Sequence, residues 1–308
     1  MTAAVNCHRV SRAFGSTAAV RGLTIEVRPG ELYGLIGPDG AGKTTTIRMV
    51  AGLMEPDAGC VSVLGKDPAR SADVRESLGL LPQQYSLYGD LTVGENMRFF
   101  GQLFCLSRAR FEARSERLLA ITRLHPFIDR RAEALSGGMY KKLALACALL
   151  HQPRVLLLDE PTNGVDPVSR RELWALLYEF AGEGMAVLLS TPYMDEAARC
   201  HRVGLVHAGR LLAEGRPDEL VRAFDHATLE IEGGDRSGVD RLVGETPDIV
   251  AASPAGVRLR VVVRPGAEAK VKARLAATGA LCRPVAADFE DLFLAKVAER
   301  ARSEEAAS

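Results

Sequence analysis

Residues 37–44 read Gly-Pro-Asp-Gly-Ala-Gly-Lys-Thr, glycines spaced ahead of a lysine and a hydroxyl residue. A tight glycine loop lets successive backbone N–H groups point at phosphate oxygens, and a helix starting at Lys43 adds its positive end. The pattern G-x-x-x-x-G-K-[ST] makes Gly37, Pro38, Asp39, Gly40, Ala41, Gly42, Lys43, Thr44 and the adjoining Thr45 candidate nucleotide contacts. Lys43 would reach the β- and γ-phosphates, and the Thr44 hydroxyl would ligate Mg²⁺. The run Val155-Leu156-Leu157-Leu158 then delivers Asp159 and Glu160 at the end of an apolar strand. Ligands of parallel sheets gather at the carboxyl ends of the strands. There Asp159 would hold Mg²⁺ through water, and Glu160 would orient and deprotonate an attacking water.

Two further stretches bear on that chemistry. Leu135, Ser136, Gly137, Gly138 and Met139 precede a helix, and a serine with two glycines at a helix start is a second phosphate-sized nest. One nucleotide needs one cradle, so a second implies another nucleotide or another chain; capping and close packing are the alternative use of the same residues. Farther on, LLSTPYMDEA passes from an apolar strand into an acidic helical stretch. Reactive side chains are often placed at such a junction, yet the residue there is Pro192, which has no N–H to donate.

These groups need a frame to bring them together. Residues 23–27 and 31–36 read as strands, a helix runs from Lys43 to about Gly52, and residues 91–124 are mainly helical. Residues 155–158 and 185–189 are short, continuous apolar strands, with an amphipathic helix over 170–180 between them. The expected fold is α/β: a P-loop NTPase cassette with a mainly parallel central sheet, over residues 1–222. A helical subdomain is inserted at about residues 88–150. Residues 223–308 change texture to β-α-β-β-α-β plus a final helix, with a helix over 267–278 and Asp288 as the cap of the last one. That order is the pattern of a small α+β ferredoxin-like domain.

Composition narrows the function classes. The 308 residues carry 39 Lys+Arg and 39 Asp+Glu, so the totals give no basic surface for nucleic acid. The longest apolar run, residues 143–150, falls well short of the ~20 residues that span a bilayer. Six scattered cysteines without a CxxC pair read as reduced thiols, and the histidines show no zinc-ligand spacing.

Taken in order, these motifs resemble the ATP-binding-cassette (ABC) family of ATPases over about residues 5–222. LSGGM at 135–139 looks like the family signature, and Asp159-Glu160 like its Walker B carboxylates. Gln83 in LPQQ resembles the glutamine that senses Mg²⁺ and couples to a membrane partner. Asp166 in GVDP resembles the D-loop, and Phe14 the aromatic that stacks on adenine. The resemblance implies two cassettes head to tail, each ATP lying between one chain's phosphate loop and the other chain's LSGGM. It implies ATP and Mg²⁺ as cofactors, a separate permease, and a place on the cytoplasmic face of the membrane. The loop at residues 85–90 would pass motion to permease helices docked near residues 91–124. The likeness is to multidrug-type exporters, with FEDLFLAKV at 289–297 as the closing helix of their C-terminal domain.

Departures from that pattern matter as much. The family places a histidine where Pro192 stands, and its imidazole contacts the γ-phosphate; His201, nine residues on, is not expected to replace it. Asp39 stands where asparagine is usual, and a carboxylate there repels the triphosphate. This pattern resembles the histidine-lacking half of fused two-cassette exporter ATPases. The expectation is therefore a slow site of its own, with LSGGM completing a faster site on a partner. A heterodimer is favoured, with self-pairing as the alternative. Rival readings are an ATP-binding regulatory module and a soluble, non-transport ABC ATPase.

Overall fold

The computed structural model describes residues 2–84 and 87–305. It divides into two compact units, Met1–Leu211 and Leu212–Ser308. In the first, β1 (Val5–Phe14), β2 (Thr17–Val27) and β3 (Leu32–Ile36) lead into helix α1 (Lys43–Val50). Then come β4 (Ala58–Val63), α2 (Ala72–Glu76), β5 (Leu78–Leu81), and three helices, α3 (Val93–Leu103), α4 (Arg108–Thr122) and α5 (Gly137–Leu149). Strand β6 (Val155–Asp159), α6 (Pro167–Gly182), β7 (Ala186–Thr191) and β8 (Arg202–His207) follow, and β9 (Arg210–Gly215) runs across the division.

The strands β3, β6 and β7 are buried at every residue. Their sequences, LYGLI, VLLLD and AVLLST, are apolar without alternation because both faces are covered. They lie in a six-stranded sheet of order β5-β6-β7-β3-β8-β9, whose β5–β6, β6–β7, β7–β3 and β3–β8 pairs are parallel. A second sheet, β2-β1-β4, is antiparallel and shares one core with α1 and the inner sheet, through Val5, Ile25, Ile47, Leu157 and Leu188 among others. The three helices between β5 and β6 pack on one another. Helix α3 starts at a capping box, in which Thr92 Oγ1 accepts from Glu95 N–H while Glu95 Oε2 accepts from Thr92 N–H.

In the second unit, α7 (Pro217–Arg222) precedes β10 (Ala227–Glu232), α8 (Arg236–Glu245), β11 (Ile249–Ala255), β12 (Arg258–Val263), α9 (Glu268–Ala276), β13 (Leu281–Val285) and α10 (Phe289–Glu305). The strands form an antiparallel sheet of order β11-β12-β10-β13. The division falls at residue 211, inside β9, and not at the expected 222, because α7 packs against α10. Helix α9 is shorter at both ends than the expected 267–278. The acidic helical stretch expected after Pro192 is a 3₁₀ helix, Met194–Arg199. Asp288 Oδ1 does accept from Glu290 N–H and Asp291 N–H, both at 3.0 Å, at the start of α10.

Arg260 of β12 ties α10 onto this sheet, pairing with Asp288 at 3.2 Å and with the buried Asp291. Asp291, 1% exposed, accepts from Arg260 Nη2 at 2.5 Å and from Arg260 Nε at 3.3 Å. The carboxylate raises the Arg260 pKa, chiefly through that hydrogen bond. Truncating one partner strands the other charge, at a cost of about 3 kcal/mol. Arg260→Met should therefore lower the opening free energy of β10 and β12 amides, read by hydrogen exchange, by about that amount. Amides in β3 and β6 should be unaffected.

Candidate functional site

Parallel register puts the chemistry-bearing residues at one end of the inner sheet. Leu35 pairs with Ser190, Ile36 with Thr191, and Asp159 with Ser190, so the carboxyl ends of β3, β6 and β7 finish side by side. The phosphate loop leaves from Ile36, and Gly37 N–H donates to Thr191 O at 3.3 Å. A Cβ at Gly37 would lie 2.0 Å from Val206 O, and one at Gly42, where φ is +98°, 2.3 Å from Ala19 O. Only glycine fits those two positions.

Lys43 is 4% exposed and curls back over the loop, donating to Gly37 O at 2.8 Å and Pro38 O at 2.9 Å. Its ammonium lies 3.8 Å from Glu160 Oε1 and 4.0 Å from the exposed carboxylate of Asp39. Burial pushes its pKa down, against the opposing pull of Glu160, Asp39 and Asp159. Thr44 Oγ1 donates to Asp159 Oδ1 at 3.1 Å, and Ser190 Oγ donates to the same oxygen at 2.6 Å. Hydroxyl and carboxylate oxygens so placed form a hard, all-oxygen donor set, which fits Mg²⁺. Thr44 and Asp159 are the residues that would hold it.

Glu160 is 4% exposed and sits in the left-handed backbone region at φ +51°, a strained setting for a non-glycine residue. Its N–H donates to Ser190 Oγ at 3.1 Å, and its Oε2 accepts from Gln83 Nε2 at 2.9 Å and from Asn163 Nδ2 at 3.3 Å. Gln83, expected beside the metal, thus has its hydrogen bond on Glu160. The cleft in front of these groups, about 530 Å³, is lined by Phe14, Arg21, Lys43, Thr45, Gln83 and Glu160 among others. Phe14 is 48% exposed, with the Arg12 guanidinium 5.4 Å from its ring centre. A smaller cavity near 270 Å³, lined by Arg114, Leu118, Phe180 and Met185, shares no residue with this cleft.

The signature residues lie elsewhere. None of Leu135, Ser136, Gly137, Gly138 or Met139 lines the cleft. Ser136 caps α5, its Oγ accepting from Met139 N–H at 3.3 Å. Asp166 caps α6, accepting from Val168 and Ser169 N–H, both at 3.0 Å; a hydrogen bond with the Ser169 side chain, followed by these backbone bonds, holds its pKa down. The two helix starts touch: a Cβ at Gly138 would lie 2.3 Å from Ser169 Oγ and 3.1 Å from Asp166 Oδ2.

Pro192 follows directly on β7, so residue 192 lies next in the chain to Thr191, the partner of the phosphate loop. His201 is engaged away from there, because its Nδ1 accepts from Leu32 N–H at 3.0 Å, at the amino end of β3. The expected coupling loop, residues 85–90, lies partly outside the described residues, at Tyr85 and Ser86. Sequence reasoning missed Ser190 and Asn163. Ser190 is signalled by its place at the end of an apolar strand, but nothing in the pattern singles out Asn163.

A family model described as "ABC transporter" matches residues 20–163. Over 207 residues the chain is 49% identical to "Probable multidrug ABC transporter ATP-binding protein YbhF" of Escherichia coli (strain K12). That alignment covers 67% of this chain and 36% of YbhF, so the chain spans about a third of that relative. Over 295 residues it is 38% identical to "Nod factor export ATP-binding protein I" of Rhizobium etli, covering 94% of this chain and 92% of that one. A solved structure described as "Structure of ATP binding subunit of ABC transporter" is 32% identical, with a TM-score of 0.65 over 72% of this chain and 92% of that chain.

Proposed function

This chain belongs to the ABC transporter family of ATP-binding subunits, and from that membership we propose that it binds and hydrolyses ATP as one cassette of an exporter. The observation that carries this is the meeting of Lys43, Thr44, Asp159 and Glu160 within hydrogen-bond and ion-pair reach at one strand end. The loop amides and Lys43 hold the triphosphate, and Phe14 stacks on the base. Mg²⁺, held by Thr44 and Asp159, would neutralise developing phosphoryl charge. Glu160 takes a proton from water as its oxygen attacks the γ-phosphorus; the bond to the bridging oxygen breaks, leaving ADP and phosphate. Gln83 steers Glu160.

With Pro192 in place of the switch histidine, this chain's own site is slow, and LSGGM completes a second site on a partner cassette. We favour a partner that carries the histidine, with a second copy of this chain as the alternative. A separate permease in the membrane is the other partner, and the chain works on the cytoplasmic face. Among the described residues no helix is long and apolar enough to cross a membrane. Exposed Leu53, Tyr88, Phe99 and Leu103 offer that permease apolar surface. We read the small unit as ferredoxin-like, a reading that its strand order, β11-β12-β10-β13, supports. No nucleic acid partner is proposed.

Purified chain with ATP and Mg²⁺ tests this reading. Expected are tight ATP binding, turnover that is low alone, and a rise of at least about tenfold on adding a histidine-bearing cassette. Absence of ATP binding by a folded chain overturns the reading. Binding with no turnover under either condition would favour a regulatory module, to which Pro192 is the pointer.

A further inference from the structure

Beyond residue 192, the switch turn carries Tyr193, and it is held in place from two sides. The Arg170 guanidinium, from α6, lies over the Tyr193 ring at 4.9 Å. Tyr193 N–H donates to Thr191 Oγ1 at 3.1 Å, and that hydroxyl donates to Glu196 Oε2 at 2.7 Å. Glu196 is fully buried and takes a second bond from Thr162 Oγ1 at 3.0 Å, with Arg170 Nε 3.8 Å from its other oxygen. Ring and backbone are therefore both held. The Tyr193 hydroxyl donates to Asn163 Oδ1 at 3.4 Å. The same Asn163 gives its amide to Glu160 Oε2 at 3.3 Å.

We infer that Tyr193 is a positioning residue: through Asn163 it aims the Glu160 carboxylate, giving the switch turn a hold on the general base that Pro192 cannot supply. This rests on Glu160 acting as the base. The relay explains why an exposed asparagine three residues after Glu160 faces back toward it. Among the described residues no hydrogen bond other than that of Tyr193 engages the Asn163 side-chain oxygen, so without the tyrosine the amide is free to swing away. Fixing the base in line matters because misplacement of a reacting group by a fraction of an ångström costs rate without costing affinity. Both bonds are long for hydrogen bonds, which bounds the effect.

Three variants of the full chain test the relay: Tyr193→Phe, which keeps the ring over Arg170, Asn163→Ala, and the two combined. Tyr193→Phe should lower kcat about 3–10-fold with KM for ATP within about twofold. Asn163→Ala should lower it at least as much, and the double variant no further than Asn163→Ala, because one route is cut twice. A merely structural role would move KM or the melting temperature as well. A second readout needs no turnover. In the nucleotide-free protein, the Asn163 side-chain amide signal, assigned by its loss in Asn163→Ala, should shift in Tyr193→Phe. Unchanged kcat in Tyr193→Phe, multiplying losses in the double variant, or an unmoved amide signal would each overturn the relay. Glu160→Gln is the control: if it leaves turnover intact, the base assignment fails first and is recognised as the failure.

Discussion

Replacing Pro192 with histidine should raise the turnover of the isolated chain by about 10–100-fold, while the dissociation constant for ATP changes by less than about threefold. A donor aimed at charge that develops only in the transition state is worth ~10²–10³ in rate, and the lower figure allows for imperfect placement of an introduced ring. The site is prepared to receive it. Thr191, immediately before, is buried and accepts the Gly37 N–H, so the phosphate loop and the switch strand are already in contact. His201 does not compete, because it is bonded to Leu32 N–H. Steady-state phosphate release and equilibrium titration with labelled ATP check the two halves. An unchanged rate with intact binding would show that Pro192 is not what limits this site.

Glu160→Gln should reduce turnover by about 10²–10³-fold and leave ATP affinity unchanged or tighter. The amide is isosteric, so its carbonyl can still accept from Gln83 and Asn163, which now hold Oε2. What it cannot do is take a proton from water. Affinity rises because the carboxylate 3.8 Å from Lys43 shares that ammonium with the incoming phosphates, and neutralising it removes the competition. Single-turnover hydrolysis separates the chemical step from product release, and binding is read independently. Turnover retained to within about threefold would move the base to another residue.

The phosphate loop and the strand before it were legible because glycine spacing and a continuous apolar run are local signals. The same holds for β6 with its two carboxylates. Less legible was β1, whose pairing with β2 shifts register at Cys7/Val10, Val10/Arg12 and Arg12/Ala13. A shift inverts which residues face inward on the strand that carries the extra residue, as β1 does between Cys7 and Val10, so the alternation that marks a strand is broken. Strand β11, reading IVAASPA, contains a proline and small residues and sits at a sheet edge, where such residues are tolerated. The site divided in the same way. Motifs named Lys43, Asp159 and Glu160, but Gln83 joins Glu160 across 77 residues of sequence, and Tyr193 joins Asn163 across 30. Contacts of that span are set by strand order, which no local pattern contains. Residue 192 was the exception in the other direction, readable only because a known pattern was broken there.

The contact between the starts of α5 and α6 has a mechanical meaning. With Gly138 pressed to within a methyl's width of Ser169 and Asp166, the two ridges cannot slide past one another. Whatever pushes on Ser136 delivers its displacement to Asp166 without slack, so the surface carrying both behaves as one stiff plate. Any neighbour reading that surface receives a single message, not two.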